Sequence, residues 1–204
     1  MSDTINIDLT QQDYGMVQPW FPKLVYFKDG LFTDQLESWT DIVREQIENS
    51  KIKYTSELAV KSNHGNSNLL EIEELKPLWE AIADHSQWFV GYMGYLNFEL
   101  QLVNAWANIS TKGDYLFPHT HPGSLISGAF YLKSSPADNI LFMDQESSLM
   151  RPSHPHEMTW NKVTYQCQPG RLLLFKSDTL HGVTRQQDEE EKIVISFNLI
   201  GKYL

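Results

Sequence analysis

The sequence contains seven histidines, and five of them (His119, His121, His154, His156 and His181) fall between residues 119 and 181. His119-Thr120-His121 has the i, i+2 spacing that turns both side chains to one face of an extended chain, within reach of a single ion. His181 stands 60 residues beyond His121, after an apolar run (Leu172-Leu173-Leu174-Phe175) that a Pro169-Gly170 turn opens. A close pair on one strand and a distant third histidine at the edge of another is the order in which a double-stranded β-helix builds a three-ligand metal face. Three protein ligands leave positions for a cosubstrate and oxygen, so the pattern points to catalysis rather than to a closed structural site. A nitrogen-rich set with no cysteine suits non-haem iron better than zinc. The rival pair, His154-Pro155-His156, lies in a proline-flanked loop, either at the surface, at the pocket rim or on the metal. His64 and His85 sit in the helical part and carry no signal.

Strands must hold such a face, and from Glu99 onward the apolar pattern alternates with the period of strands. One side of the first strand carries Val103, Ala105, Ala107 and Ile109, and the other Leu102, Asn104, Trp106 and Asn108. A second strand separates Ile126, Gly128, Phe130 and Leu132 from Leu125, Ser127, Ala129 and Tyr131. The last separates Ile193, Ile195, Phe197 and Leu199 from Lys192, Val194, Ser196 and Asn198. In each case one face is apolar and the other holds Asn, Ser, Trp, Tyr or Lys, the groups expected where a pocket needs a few placed polar contacts. The faces therefore predict a polar-lined barrel interior.

Upstream the period is helical. Leu36, Trp39, Ile42, Val43 and Ile47 predict one helix with Thr33 as its N-cap, and Leu75, Leu78, Trp79, Ile82 and Trp88 a second over about 69–95, interrupted near Gly91 or Gly94. Both are expected to pack on the strands, with Trp39, Trp79 and Trp88 inward. Tyr14 to Phe27 reads as extended, Asp29-Gly30 as a turn, and Ser62 to Asn68 as a polar loop. The expected fold is α+β in one domain, 1–204, with an N-terminal extended segment and packing helices (1–98) and a double-stranded β-helix, or jelly-roll and cupin-like, core (99–204).

The chain of 204 residues has 16 Lys+Arg against 26 Asp+Glu, a formal net charge of −10. Without a basic face it is not expected to read nucleic acid. No run approaches the length of a membrane span, the N-terminus lacks a signal peptide's pattern, and the single Cys167, expected at a strand edge, suits a reducing compartment. A cytoplasmic protein without a membrane partner is expected. The acidic run Asp188-Glu189-Glu190-Glu191 reads as a solvated turn.

From Asn104 to Asn198 the chain resembles the iron(II) and 2-oxoglutarate-dependent oxygenases, in particular small bacterial and phage members with prolyl-hydroxylase-like strand order. The resemblance rests on Ala105-Trp106-Ala107-Asn108, Gly113-Asp114-Tyr115, Pro118-His119-Thr120-His121-Pro122-Gly123-Ser124 and Ser127-Gly128-Ala129-Phe130-Tyr131-Leu132. It continues through Gly170-Arg171-Leu172-Leu173-Leu174-Phe175, Leu180-His181-Gly182-Val183 and Lys192 to Asn198.

The resemblance implies His119 and His181 as iron ligands. Where most of the superfamily has Asp or Glu two residues after the first histidine, this chain has His121, so either His121 is the middle ligand or Asp114 or Asp144 supplies a carboxylate. The cosubstrate would be 2-oxoglutarate, its distal carboxylate held by Lys192, with Arg185 in reserve, helped by Tyr131, Ser127, Asn108 and Asn198. Lys192 stands where the nearest relatives more often carry Arg, and pairs as a point charge rather than a fork. Tyr115, Phe117 and Trp160 are expected to rim the substrate entrance. The implied reaction couples O2-dependent decarboxylation of 2-oxoglutarate, giving succinate and CO2, to oxidation of a substrate, usually hydroxylation, with a peptide or protein side chain as the suggested class. No side chain beyond the metal centre is needed as acid or base. The alternatives are a three-histidine cupin dioxygenase that does not use 2-oxoglutarate, and a non-catalytic metal- or ligand-binding module. On the main reading the cavity is locally positive inside an acidic shell.

Overall fold

Alternation along the β-rich half becomes two facing sheets, seen in a computed structural model that describes residues 22–49, 54–55, 58–64, 69–145 and 159–204. The strands are β1 (Val25–Lys28), β2 (Tyr54–Thr55), β3 (Leu58–Ser62), β4 (Phe98–Ser110), β5 (Leu116–His119), β6 (Ile126–Lys133), β7 (Asn139–Met143), β8 (Lys162–Gln166), β9 (Leu172–Lys176), β10 (His181–Val183) and β11 (Lys192–Tyr203). Among the described residues the larger sheet has the order β1-β9-β6-β11-β4-β3-β2 and the smaller β5-β10-β7-β8. Among the described residues the strand pairings are antiparallel. The expected jelly-roll is present, and the helices α1 (Leu36–Asn49) and α2 (Lys76–Tyr92) cover the outer face of the larger sheet. No helix among the described residues is long and apolar enough to cross a membrane.

The face assignments hold wherever the ladder is regular. β11 pairs residue for residue with β4 from Lys192 opposite Ser110 to Asn198 opposite Asn104. Ala105, Ala107, Ile109, Ile126, Phe130, Ile193, Ile195 and Phe197 are buried together with Trp39, Val43 and Ile47 of α1 and with α2. Below Asn104 a bulge at Val103 offsets the register by one. One extra residue reverses which side chains face the core. Val103 is therefore exposed, while Leu100 and Leu102, the latter expected on the pocket side, pack toward the helices.

Gly128 is a close-packed point of the larger sheet. A Cβ there would lie 2.3 Å from Cζ of the buried Phe197 ring and 2.5 Å from the Leu173 carbonyl oxygen. Backbone cannot yield as a flexible side chain can, so Gly128→Ala is expected to cost about 1–3 kcal/mol of unfolding free energy by overpacking. A urea midpoint equal to wild type would contradict it.

The helices depart from expectation in three places. α1 begins at Leu36 after a turn in which Phe32 has φ 53, and the Trp39 N–H donates to the Gln35 carbonyl, so Gln35 rather than Thr33 stands at its start. The single helix expected from Leu69 is two 3-10 turns (Leu69–Glu71 and Glu73–Leu75), with Ile72 extended between them, followed by α2. Pro77 lies in the first turn of α2, where its missing N–H is harmless; farther inside, its ring would clash with the preceding turn. Trp88 is 59% exposed and stacks on Tyr92, because α2 turns Leu78, Ile82, Ser86, Phe89 and Val90 inward instead.

The Asp29-Gly30 turn is formed, with Gly30 at φ 75, and Asp29 receives a two-pronged ion pair from the buried Arg171. That pair draws the Asp29 carboxyl below its ordinary pKa. The acidic run is more than a solvated turn: Ser135 donates to Asp188, Lys112 pairs with Glu189, and Arg44 of α1 pairs with Glu191. Of the extended segment from Tyr14 and the loop to Asn68, residues 14–21 and 65–68 lie outside the described residues.

Candidate metal centre and its cavity

Antiparallel pairing of β5 with β10 sets His119 directly opposite His181. Just past the end of β5, the His121 N–H donates to the Ser177 carbonyl at 2.9 Å, which folds the Thr120-His121 corner back toward the end of β9. One ring nitrogen from each of His119, His121 and His181 lies within 4.8 Å of the other two. The three residues that spacing singled out are thus brought together, two through one strand pair and the third through a backbone bond.

Two of the rings are oriented from behind. The Nδ1 of His119 lies 2.8 Å from the Phe117 carbonyl oxygen and that of His181 2.9 Å from the Thr179 carbonyl oxygen. A carbonyl only accepts, so each Nδ1 carries the proton, and in the neutral ring each Nε2 presents a lone pair. His121 Nε2 and His181 Nε2 are 3.3 Å apart. Burial lowers the His181 pKa to about 3, with His119 and His121 adding to the fall against the Thr179 bond. Burial, then the neighbouring His119 and His64, lowers that of His121 to about 4.

These shifts fix a sign. As pH falls below the ordinary histidine value of about 6.5, the unfolded chain takes up protons that folded His121 and His181 refuse until about pH 4 and 3. Native stability contributed by these groups is present above that value and lost on acidification through this window. The metal-free protein's urea midpoint should fall more between pH 7 and pH 4.5 than that of a His121→Gln, His181→Gln double variant. Parallel falls would refute the assignment.

Neither carboxylate considered as a ligand joins the cluster. Asp114 Oδ2 accepts from the Thr111 N–H at 2.7 Å and from its hydroxyl at 3.1 Å, closing a turn, and Asp144 pairs with Lys23.

The histidines open onto a cavity of about 550 Å³ between the two sheets, also lined by Trp106, Asn108, Tyr131, Lys192, Ser196 and Asn198. Lys192 is 2% exposed, and its Nζ has no hydrogen-bond partner among the described residues. An unpaired buried ammonium costs several kcal/mol, so its persistence in the lining marks a place for an anion. Tyr131 is buried beside the Cys167 thiol; burial, then Cys167, raises the phenol well above its ordinary pKa. Burial likewise raises Cys167 to about 11, so this residue, expected at a strand edge, is an inert protonated thiol in the cavity wall. Asn108 donates to Ser196 Oγ at 3.3 Å, and its Oδ1 is buried and unpartnered among the described residues.

Other expectations are redistributed. Ser127 does not line the cavity; it lies behind Asn198, donating to Asn198 Oδ1 at 2.7 Å and contacting Ser177 Oγ at 2.8 Å. Arg185 is excluded as an anion ligand: its guanidinium bonds the Gly113 carbonyl and covers the Tyr115 ring at 4.4 Å, outside the lining. Leu116, not its neighbours Tyr115 and Phe117, faces the cavity, because side chains alternate along β5. Phe117 and Trp160 are 62% and 54% exposed outside it. His154 and His156 lie outside the described residues.

His64 is one of the lining residues that sequence reading passed over. Its ring meets Trp106 edge-on at 4.7 Å, and Trp106 in turn lies 5.7 Å from the His121 ring. Burial and then His119 lower its pKa. The pairing of Ser62 with Asn108 and the bonds of Asn63 to Ala107 put it there, and a lone histidine after a short strand gives no spacing from which to foresee that.

Residues 104–198 match the family model described as "Putative 2OG-Fe(II) oxygenase". No curated protein matches the chain. Among solved structures, the non-heme alpha ketoglutarate dependent epimerase SnoN from nogalamycin biosynthesis is similar at 13% identity over 89% of this chain and 79% of that one, with a TM-score of 0.67. HygX from Streptomyces hygroscopicus, solved with nickel, 2-oxoglutarate and hygromycin B, follows at 14% identity, 87% and 82% coverage and a TM-score of 0.60. A Pseudomonas putida prolyl-4-hydroxylase gives 11% identity, 86% and 92% coverage and a TM-score of 0.59. At these identities the likeness shows a shared fold.

Proposed function

We infer that this chain, whose β-rich half from residue 104 to 198 belongs to the 2OG-Fe(II) oxygenase family, is an enzyme that holds Fe(II) through His119, His121 and His181 and 2-oxoglutarate through Lys192. The observation that supports this most directly is the pairing of an all-imidazole cluster with a buried ammonium that has no partner among the described residues, in one cavity. The donor set fits the metal: the rings are held by carbonyls at Nδ1 and offer Nε2. The ammonium fits the distal carboxylate of a dianionic cosubstrate, and Tyr131 in the same lining supplies a hydroxyl close to that end.

When bound, Fe(II) and 2-oxoglutarate supply O2 activation, with succinate and CO2 leaving as the substrate is oxidised. The chain's own part is binding, orientation and exclusion of water. Phe175 and Phe142 back the His181 ring at 4.5 and 6.2 Å, and Ile140, Val194 and Ala129 complete an apolar sleeve around the polar contacts. Lys192 neutralises charge without transferring a proton. A cytoplasmic setting suits the free thiol of Cys167. Fold alone selects no substrate, since an epimerase and a prolyl-4-hydroxylase share it.

A three-histidine dioxygenase that does without 2-oxoglutarate is the second reading, favoured by the absence of a carboxylate from the cluster among the described residues. Anaerobic titration of the metal-free protein with Fe(II) and then 2-oxoglutarate separates them. The main reading expects the visible charge-transfer band of the chelate and, on admitting air, succinate. A folded, iron-loaded protein showing neither would overturn it.

A further inference from the structure

The cavity's charges do not balance around the proposed metal and cosubstrate, and the surplus describes the substrate. Among the described residues no Asp or Glu lines the cavity; the lining charge resides in Lys192 and whatever the histidines hold. A divalent ion on three neutral imidazoles keeps both of its charges, and Lys192 adds a third. A dianionic cosubstrate offsets two, leaving one positive charge in a cleft between the sheets, where Coulomb interactions are stronger than in bulk water. A ligand cluster containing a carboxylate would have removed that surplus; this one does not.

The metal end of the cavity also presents hydrogen-bond donors. Asn198 stands six residues beyond Lys192 on β11, roughly 20 Å at about 3.3 Å per residue, so the two cannot hold the same carboxylate of one small cosubstrate. Ser127 donates its only hydroxyl proton to Asn198 Oδ1, which obliges Ser177 to be the donor in the Ser127–Ser177 contact. This one-way chain occupies the amide oxygen and leaves the Nδ2 protons as the group Asn198 offers. Its ladder partner, Asn104, sits exposed at the same end of the lining. Trp106, two residues along β4, adds a flat apolar wall against His64 and His121.

We propose that the substrate is a carboxylate-bearing molecule, its anionic group received by Asn198 and Asn104 at the metal end and its apolar body laid against Trp106. The proposal rests on the reading of the metal and cosubstrate given above. It excludes lysyl and arginyl side chains, whose charge would add to the surplus.

Three probes with the same branched carbon skeleton test it: isovalerate, isovaleramide and isoamylamine. Each is titrated anaerobically into protein already loaded with Fe(II) and saturating 2-oxoglutarate, following the shift of the chelate band. Isovalerate should bind at least tenfold more tightly than isoamylamine, with the amide between them. Asn198→Leu, and independently the exposed-site variant Asn104→Leu, should each reduce that preference severalfold while the band persists. Equal or tighter binding of the amine, no binding of any probe, or isovalerate that bleaches the band by taking the cosubstrate's place would each overturn the proposal. Failure of the band to form before any probe is added is instead a failure of the cosubstrate reading. The order of the probes is then read by saturation-transfer NMR on the metal-free protein, where a carboxylate preference lost in Asn198→Leu supports the proposal and its absence refutes it.

Discussion

Lys192→Met is expected to weaken 2-oxoglutarate binding by roughly 30-fold to several thousand-fold while making the metal-free protein more stable than wild type. The two effects have one origin. Lys192 is buried with no partner for Nζ among the described residues, so in the metal-free state its ammonium has lost water and gained no counter-charge. Methionine fills similar volume without that penalty, and exchanges of this kind are worth about 1–4 kcal/mol in favour of the apolar residue. With the cosubstrate bound, the same ammonium faces a carboxylate, and truncating one member of such a buried pair costs about 2–5 kcal/mol, which is the stated loss in affinity. Urea unfolding without metal and a 2-oxoglutarate titration by calorimetry measure the two halves. Unchanged affinity would transfer the protein to the three-histidine reading, and a drop in stability would mean that Lys192 is solvated or paired in the free protein.

His181→Ala should reduce Fe(II) affinity by at least about 100-fold, more than the 10- to 100-fold typical of losing a supporting partner behind a ligand. His181 is the most buried of the three, its Nδ1 tied to Thr179, and it is the point where β10 meets both β5 and β7. Its loss removes a preoriented lone pair that no other described side chain in the cluster replaces. His121→Asp is the informative companion: it keeps three ligands and adds a carboxylate's negative charge, so it should retain metal. Competition against a chromophoric chelator reads both variants. Retention of metal by His181→Ala in a folded protein would mean that the site lies elsewhere, while loss in His121→Asp would show that this pocket tolerates only imidazole.

How far the site could be read in advance varied with the kind of contact. His119 and His121 announce themselves by spacing, and His181 by its place after an apolar strand. Lys192, Tyr131, Asn108 and Asn198 are legible as one face of alternating strands, since the period of two survives wherever pairing is regular. Val103 and Leu102 depart from strict alternation because a bulge is a property of two strands together, and the β4 segment alone gives no reason for one. Ser127 shares a face with Tyr131, yet Asn198 stands in front of it, which depends on side chains meeting across the β6 and β11 ladder. Tyr115 and Phe117 are aromatic and close in sequence to the metal pair, but β5 turns Leu116 inward. Trp88 shows the same limit on a helix: apolar type put it in the stripe, and the rotation of α2 against the sheet put it in solvent.

By itself the sequence determined the jelly-roll class, the two covering helices, the three histidines and the lysine that faces their cavity, because periodicity and spacing are local and each strand carries its own record of inside and outside. The tertiary structure alone decided which polar atoms are left without partners. Among the described residues Lys192 is unpaired because the cavity it lines holds no carboxylate, and Asn198 offers its amide protons because Ser127, itself bonded to Ser177, occupies its oxygen. Whether a buried group has a partner depends on residues far away in the chain, and that is settled only when the strands are laid side by side.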